Sequence, residues 1–411
     1  MKSRLCFLVC VILCVCTLTS SCGASGNSGG VVNEINQITN NAITIEGTSG
    51  STAYAAAMGL RSAVSVYCAF TSTSGSGFWN PLPSTSTYYT TGSGVIYKLE
   101  NDGSAFIITN YHVVYDSSSN TKNKISDKIY VYLYGLESDA YAISAGYVGG
   151  SANYDIAVLG VEKSEVLAAA LASGAAAAVT VGNSDDIMPG ETTIAVGNPS
   201  ATDLAGLSVT KGIVSVSSEY ITMNAANGSG EVDFRVIRTD APVNSGNSGG
   251  GMYNERGELI GIVNAKISNT NIENIGYAIP SNVARAIADN VIDYCYGKDC
   301  ESVMRGLLGI TLKTVALSTA YNTETGSIVR TETVAISQVS AGGLADGILK
   351  ANDVVKSITV GDRTVKIERS YQLIDAMLDV RVGDKVTIVI ERSGVEMSVE
   401  TVITDACLAA Y

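Results

Sequence analysis

The 411-residue sequence has a single histidine, His112, and few charged residues. One imidazole excludes any metal site built from two or more histidines, and none of the nine cysteines has the paired CxxC spacing of a zinc or redox site. We therefore expect neither a metal nor a cofactor. Lys and Arg number 26 against 39 Asp and Glu, a net charge of −13, which argues against nucleic acid as a partner because phosphate backbones require a basic surface.

The first residues have the pattern of a secretory signal. Lys2 and Arg4 precede an apolar run over residues 5–18, and small polar residues follow it. This run is shorter than the roughly 20 residues that a membrane-spanning helix needs, so we predict a signal peptide over residues 1–21. Residues 22–43 are rich in Gly, Ser and Asn without an apolar period, which is typical of a flexible tether.

Cys22 ends a segment, LTSSC, that resembles a bacterial lipobox, in which the cysteine becomes the lipidated first residue of the mature protein. We predict lipidation at Cys22, with ordinary signal cleavage nearby as the alternative. The protein is then exported to the bacterial cell envelope, where the lipid anchor is its link to the membrane, or it is secreted.

Loss of the signal peptide and lipidation of Cys22 leave four cysteines. Cys295 and Cys300 flank a turn-like segment, and in an exported protein they either close a small disulfide loop or stay free. Cys68 lies in the apolar run 64–70, so we expect a buried thiol there. The fourth is Cys407.

Short apolar runs separated by Gly, Asn, Ser and Asp clusters dominate residues 44–295. Their spacing predicts an all-β barrel or sandwich. Two patches, 163–178 and 279–294, have helical character, and the polar stretch 71–91, which contains Phe78 and Trp79, is predicted to be a long loop. The predicted strands are 63–70, 94–97, 106–108, 128–133, 156–161, 192–196, 212–216, 232–237 and 259–267.

The pattern changes after Cys300. Residues 305–404 combine short strands with one helix-like stretch at 371–378, and their number suits a separate α+β module. The predicted strands of this module are 308–311, 334–338, 354–360, 385–390 and 395–402.

The strongest local signal is the segment NSGNSGG at residues 244–250. Glycines on both sides of Ser248 allow a tight turn that brings backbone amides close to a ligand, as an oxyanion site requires. A Gly-rich hairpin turn is the alternative interpretation of the segment by itself.

The single histidine favours the first interpretation. A serine needs a neighbouring base to act as a nucleophile at neutral pH, and His112 follows a buried-looking strand. Asp155, directly before the strand 156–161, is the candidate to orient the imidazole. The chain order His112, Asp155, Ser248 is that of chymotrypsin-like barrels, whereas subtilisins and α/β-hydrolases have other orders.

The sequence resembles the HtrA/DegP family of trypsin-like serine proteases over residues 60–404. The resemblance implies a chymotrypsin-like double β-barrel that is followed by a small PDZ domain, with His112, Asp155 and Ser248 as the catalytic triad. Backbone amides of Gly246, Asn247 and Ser248 would form the oxyanion hole, and loops around residues 197–230 would order it. The segments that carry the resemblance are 109–114, 154–159, 196–199, 209–215, 238–243 and 276–281.

The segment 305–310, RGLLGI, is similar to the carboxylate-binding loop of PDZ domains, and 347–355 is similar to a second segment of the same domains. Such a loop captures peptide C-termini with its amides while a strand edge extends the sheet. The peptide-binding residues would be Gly306, Leu307, Leu308, Gly309 and Ile310.

The resemblance implies an endopeptidase that degrades misfolded or damaged envelope proteins, with unfolded proteins or peptides as substrates. It also implies a homotrimer, which is the common state in the family. Two alternatives stay open: a PDZ-based chaperone or scaffold, and a processing protease of narrow specificity.

Overall fold

The computed structural model describes residues 49–74, 84–199, 206–267, 275–298, 300, 302–324 and 326–411. The predicted signal peptide, tether, lipidation site Cys22 and aromatic pair Phe78 and Trp79 lie outside these ranges. No helix in the described ranges is long and apolar enough to cross a membrane.

The first part of the chain forms a closed barrel of six antiparallel strands in the order β1-β2-β3-β6-β5-β4. Its interior holds the apolar side chains of the predicted runs, among them Val66, Ile107 and Leu159, which are fully buried. The strands are β1 (Ala63–Ser74), β2 (Ser84–Leu99), β3 (Ala105–Thr109), β4 (Lys128–Leu133), β5 (Ile143–Ser151) and β6 (Ile156–Val161).

A second closed barrel follows, in the order β10-β11-β12-β9-β8-β7. The all-β prediction for this region is therefore confirmed as a pair of barrels. Its strands are β7 (Thr192–Gly197), β8 (Ser208–Asn224), β9 (Glu231–Thr239), β10 (Gly251–Tyr253), β11 (Leu259–Val263) and β12 (Gly276–Pro280).

The prediction of a loop over residues 71–91 is wrong at both of its ends. β1 continues to Ser74 and β2 begins at Ser84, and the two strands stay paired to these residues. The Thr and Tyr residues of this stretch suit a pleated surface, and the ring of Phe70 stacks on Tyr88 with 5.8 Å between centroids. The polar composition of these residues therefore led to the prediction of a loop where the structure has two paired strands.

In the described ranges, four α-helices accompany the barrels and the module that follows them, and a four-residue turn of helix carries His112. The predicted helix over 163–178 is shorter in the structure because Gly174 adopts φ of +78° and ends it. The helices are α1 (Thr52–Ser62), α2 (Tyr111–Val114), α3 (Glu165–Ser173), α4 (Ser281–Cys295) and α5 (Ser370–Ala376).

The C-terminal module is a twisted sheet in the order β14-β15-β16-β18-β19, with β17 paired to β16 and a separate two-stranded sheet of β13 and β20. The α+β prediction is confirmed, although the first two predicted strands are parts of one longer hairpin. The strands are β13 (Met304–Gly306), β14 (Ile310–Asn322), β15 (Ser327–Val339), β16 (Val354–Val360), β17 (Arg363–Lys366), β18 (Lys385–Arg392), β19 (Val395–Val402) and β20 (Leu408–Ala410).

Ion pairs join this module to the second barrel and to α4. Arg235 Nη1 of β9 lies 3.0 Å from Asp375 Oδ2 of α5, while Arg235 Nη2 lies 2.9 Å from Asp185 Oδ1. Arg285 of α4 lies 2.9 Å from Asp379. The Arg235 side chain is buried, so this ion pair is largely shielded from solvent.

The structure resolves one open alternative for the cysteines and confirms one prediction. Cys295, the last residue of α4, is joined to Cys300 in a disulfide. Cys68 is fully buried, and burial raises the pKa of its thiol to about 12. This cysteine is therefore an inert part of the first barrel's core.

Candidate active site

The segment that contains Ser248 is a tight loop between β9 and β10. Gly246 has φ of +96° and Gly249 has φ of +86°, a conformation that side chains with a Cβ rarely adopt. A Cβ at Gly246 would also lie 2.1 Å from the Asn198 carbonyl oxygen. The glycines therefore permit a backbone path that holds Ser248 in a buried position.

His112 lies on α2, directly after β3. Val113 and Val114 on this helical turn are buried in the core of the first barrel, which anchors the turn. The His112 side chain keeps 19% of its surface exposed, so part of the imidazole is accessible from outside the core. The imidazole is thus fixed by its neighbours and still reachable by a ligand.

Asp155 lies between β5 and β6 and is almost completely buried. Its Oδ2 is 2.6 Å from His112 Nδ1, and its Oδ1 accepts the backbone N–H of His112 at 2.9 Å. The residue has φ of +51°, a strained value that the Asn110 side chain supports by donating to the Asp155 carbonyl at 2.8 Å. This arrangement selects one orientation of the imidazole ring.

A residue that the sequence did not single out completes this carboxylate environment. The buried side chain of Asn264 donates a hydrogen bond to Asp155 Oδ2 at 2.7 Å. The only sequence signal for it is a polar residue directly after the buried strand β11. Since its partner lies 109 positions away, only the closed barrels bring the two together.

The residue after Asn264 contacts the Ser248 hydroxyl. The backbone N–H of Ala265, next to Asn264, donates to Ser248 Oγ at 3.1 Å. No hydrogen bond joins Ser248 to His112, both of which lie in the described ranges. Residues 264 and 265 therefore contact the carboxylate and the hydroxyl of the candidate site in succession.

The predicted oxyanion donors differ in their availability. The N–H groups of Gly246 and Ser248 have no acceptor among the described residues. The N–H of Asn247 donates to the Asn244 carbonyl at 3.0 Å. The N–H of Asn247 therefore already has an acceptor within the turn, unlike the N–H groups of Gly246 and Ser248.

The predicted peptide-binding loop lies at a cavity of about 760 Å³ between the C-terminal module and the second barrel. All five predicted residues line it, together with Leu373 of α5 on one side and Tyr154 on the other. Tyr154 is adjacent to Asp155 in sequence, and burial raises its pKa to about 12, so its hydroxyl is neutral. The Arg305 guanidinium lies 3.4 Å from that hydroxyl. The predicted residues are Gly306, Leu307, Leu308, Gly309 and Ile310.

Comparison with protein families matches residues 92–262 to the trypsin-like peptidase domain. The chain is 34% identical over 314 residues to serine protease Do-like HtrA of Bacillus subtilis (strain 168), which covers 75% of this chain and 62% of the relative. It is 32% identical over 308 residues to serine protease Do-like HtrA of Lactococcus lactis subsp. lactis (strain IL1403), which covers 74% of this chain and 68% of the relative.

Periplasmic pH-dependent serine endoprotease DegQ of Escherichia coli (strain K12) is 30% identical over 318 residues, which covers 76% of this chain and 59% of the relative. Among solved structures, the HtrA-type protease AlgW with a decapeptide is similar with a TM-score of 0.53 at 25% identity, over 86% of this chain and 98% of that one. The chain spans 62% of the length of the two Bacillus subtilis relatives that it matches.

Proposed function

The chain belongs to the HtrA family of trypsin-like serine proteases, and we propose that it hydrolyses peptide bonds with Ser248 as the nucleophile. The observation that carries this proposal is the 2.6 Å contact between His112 Nδ1 and Asp155 Oδ2, which orients the one imidazole of the sequence. A serine hydroxyl requires such a base at neutral pH.

In the proposed acylation step, Ser248 Oγ attacks the carbonyl carbon of the substrate while His112 Nε2 takes the hydroxyl proton. Asp155 accepts the Nδ1–H hydrogen bond and stabilises the imidazolium. Collapse of the tetrahedral intermediate breaks the C–N bond, and His112 gives its proton to the leaving amine. Water then attacks the acyl-enzyme with His112 as the base, which releases the carboxylic acid and restores Ser248.

For this step the Ser248 hydroxyl has to turn from the Ala265 amide, its present partner, toward His112. Catalytic hydrogen bonds are often long or absent in free enzymes and tighten when substrate binds. We propose that substrate contact with the cleft, helped by the loops around residues 197–230, produces this change. The enzyme would then be most active with a bound peptide.

The N–H groups of Gly246 and Ser248 are the proposed oxyanion donors. Both are free of internal acceptors among the described residues, and both belong to the loop that holds the nucleophile. A donor of this kind stabilises a tetrahedral intermediate by about 3 kcal/mol. Two such donors account for a large part of the expected rate enhancement.

The C-terminal module is proposed to be a PDZ domain over residues 305–404, which follows a protease domain over residues 44–295. The amides of the loop 306–310 would bind a peptide carboxylate, and the cavity beside them is wide enough for apolar side chains. Tyr154, which precedes Asp155 in the chain, lines the same cavity, so a peptide bound there would contact the residue next in sequence to the aspartate of the candidate triad.

We propose misfolded or damaged proteins of the bacterial envelope as the substrates. The support is the predicted signal peptide, the predicted lipid anchor at Cys22, and the relative named as a periplasmic endoprotease. The AlgW structures with peptides support recognition of peptides by a protein of this type. A homotrimer with a lipid anchor on each subunit is the proposed assembly.

Cleavage of unfolded casein tests this function. The wild-type protein should cleave casein, and Ser248→Ala should lower the rate by about 1,000-fold or more. Ser245→Ala is the matched control, because this serine is exposed in the same loop and should be dispensable. Equal rates for Ser248→Ala and wild type would refute the proposal, and cleavage of only a few members of a folded-protein library would identify a processing protease instead.

A further inference from the structure

Ser93 on β2 forms hydrogen bonds with the loop of residues 244–250 that contains Ser248, which we call the nucleophile loop. Its side chain is fully buried, and its hydroxyl donates to the Gly246 carbonyl at 2.7 Å while it accepts the Asn198 N–H at 2.8 Å. Its own backbone N–H donates to the Ser248 carbonyl at 2.8 Å. One residue of the first barrel therefore holds two carbonyl groups of a loop that belongs to the second.

The two hydrogen bonds that Ser93 donates lie on either side of the Ser248 N–H, which is a proposed oxyanion donor. The Gly246 carbonyl precedes residue 247 and the Ser248 carbonyl follows the nucleophile, so the Ser248 N–H lies between two anchored carbonyls. Fixing both ends restricts rotation of the peptide groups between them. The Ser248 N–H, one of the two proposed oxyanion donors, is thus held in place before substrate arrives, which is the condition for effective electrostatic stabilisation.

The same residue is linked to the segment that carries the base. Thr109 Oγ1 donates to the Ser93 carbonyl at 2.7 Å, three positions before His112. A Cβ at Gly249 would lie 2.1 Å from the same carbonyl oxygen, so the nucleophile loop packs directly on Ser93. Ser93 therefore accepts a hydrogen bond from the segment that carries His112 and donates hydrogen bonds to the loop that carries Ser248.

We propose that Ser93 is a positioning residue that holds the Ser248 N–H, as an oxyanion donor, through its hydroxyl together with its backbone N–H. This inference rests on the proposed function. The hydroxyl lies behind the loop and acts through Gly246 and Asn198. Its removal leaves the Gly246 carbonyl and the Asn198 N–H without this partner, so the loop can relax from the geometry that a tetrahedral intermediate needs.

Ser65 provides a matched control within the same pair of strands. It lies directly opposite Ser93 in the register of β1 and β2 and is also fully buried. Its hydroxyl has no hydrogen-bond partner among the described residues. Ser65→Ala removes the same atoms at the same depth without breaking a contact to the loop.

The test measures peptide hydrolysis and the binding of a peptide boronic acid, which forms a tetrahedral adduct with the nucleophile. Ser93→Ala should lower kcat by about 10- to 100-fold with KM within about twofold of wild type. The affinity for the boronic acid should fall by a similar factor. Ser65→Ala should match wild type in all three quantities.

If Ser93→Ala does not fold, Ser93→Cys is the second variant. Its thiol fills the space of the hydroxyl and is only a weak hydrogen-bond donor. Its kcat should be reduced with little change in KM. Wild-type kcat and boronic acid affinity in a folded Ser93 variant would overturn the inference, as would a change confined to KM. If wild type itself fails to cleave peptides, the proposed function fails, which is a separate result.

Discussion

The side-chain amide of Asn264 donates to Asp155 Oδ2 at 2.7 Å, the same oxygen that lies 2.6 Å from His112 Nδ1. Because Asn264 is fully buried, water cannot replace this donor. The carboxylate is therefore held between a ring nitrogen and an amide from the other barrel. A contact from the second barrel therefore helps to fix the carboxylate that orients the imidazole.

Asn264→Ala should lower kcat by about 10-fold, because Asp155 loses a donor that fixes its rotamer. It should also cost about 1 to 3 kcal/mol of unfolding free energy, because a buried hydrogen bond to a carboxylate oxygen is lost. Steady-state kinetics and chemical denaturation measure the two effects. Asn290→Ala is the control: it removes a buried amide that bonds Met304, so it should destabilise the fold and leave kcat per folded molecule unchanged. Equal kcat in both variants would contradict the role of Asn264.

Gly246→Ala should abolish most activity. A Cβ at this position would meet the Asn198 carbonyl oxygen, and a φ of +96° is unfavourable for alanine, so the loop must rearrange. We expect kcat/KM to fall by about 100-fold or more. Gly228→Ala is the comparison, since Gly228 has φ of +74° with open space around it. That variant should lose about 1 to 2 kcal/mol of stability and keep its activity. Wild-type kcat/KM in Gly246→Ala would show that the loop geometry does not matter.

The unfolding free energy of the protein should depend on pH through Asp375, which lies in the C-terminal module at its contact with the second barrel. Burial raises the pKa of this carboxyl from 3.8 to about 6, even though Arg235 opposes the shift; Asp185 and Asp379 raise it further, and Arg363 opposes it. Because the folded state then binds the proton more tightly than the unfolded state, this group stabilises the fold at low pH. Its contribution is lost as pH rises through about 6.

Chemical denaturation of wild type and Asp375→Asn at pH 5 and pH 7 measures this contribution. From pH 5 to pH 7, the unfolding free energy of wild type should fall by about 1 kcal/mol relative to that of Asp375→Asn. The amide has a similar shape and does not titrate, so it isolates the carboxyl from every other group. Parallel pH dependence of the two proteins would show that Asp375 has the same proton affinity in both states.

Local sequence patterns predicted much of this fold and the choice of candidate residues. The predicted strands 128–133 and 156–161 coincide with β4 and β6, because each is a short apolar run between clear turn residues. His112, Asp155 and Ser248 were selected by residue type and chain order. The structure brings His112 and Asp155 into contact, and residues 264 and 265 connect Asp155 to Ser248.

The features that the sequence patterns did not predict depend on the packing and hydrogen bonds of the folded chain. The ends of β1 and β2 are polar because most of their residues are exposed or only half-buried, so their composition resembled that of a loop. Asn264 and Ser93 are ordinary polar residues until the barrels close around them. The hydrogen bond that uses the Asn247 N–H is a turn contact, which a Gly-rich motif alone does not specify.

The most direct test of the account is covalent labelling with a fluorophosphonate probe, followed by mass spectrometry to locate the modified residue. The account predicts labelling of the wild-type protein on Ser248 and a rate at least about 1,000-fold lower in His112→Ala, because the sequence has no second histidine to act as base. Labelling of another residue, or equal rates with and without His112, would contradict it.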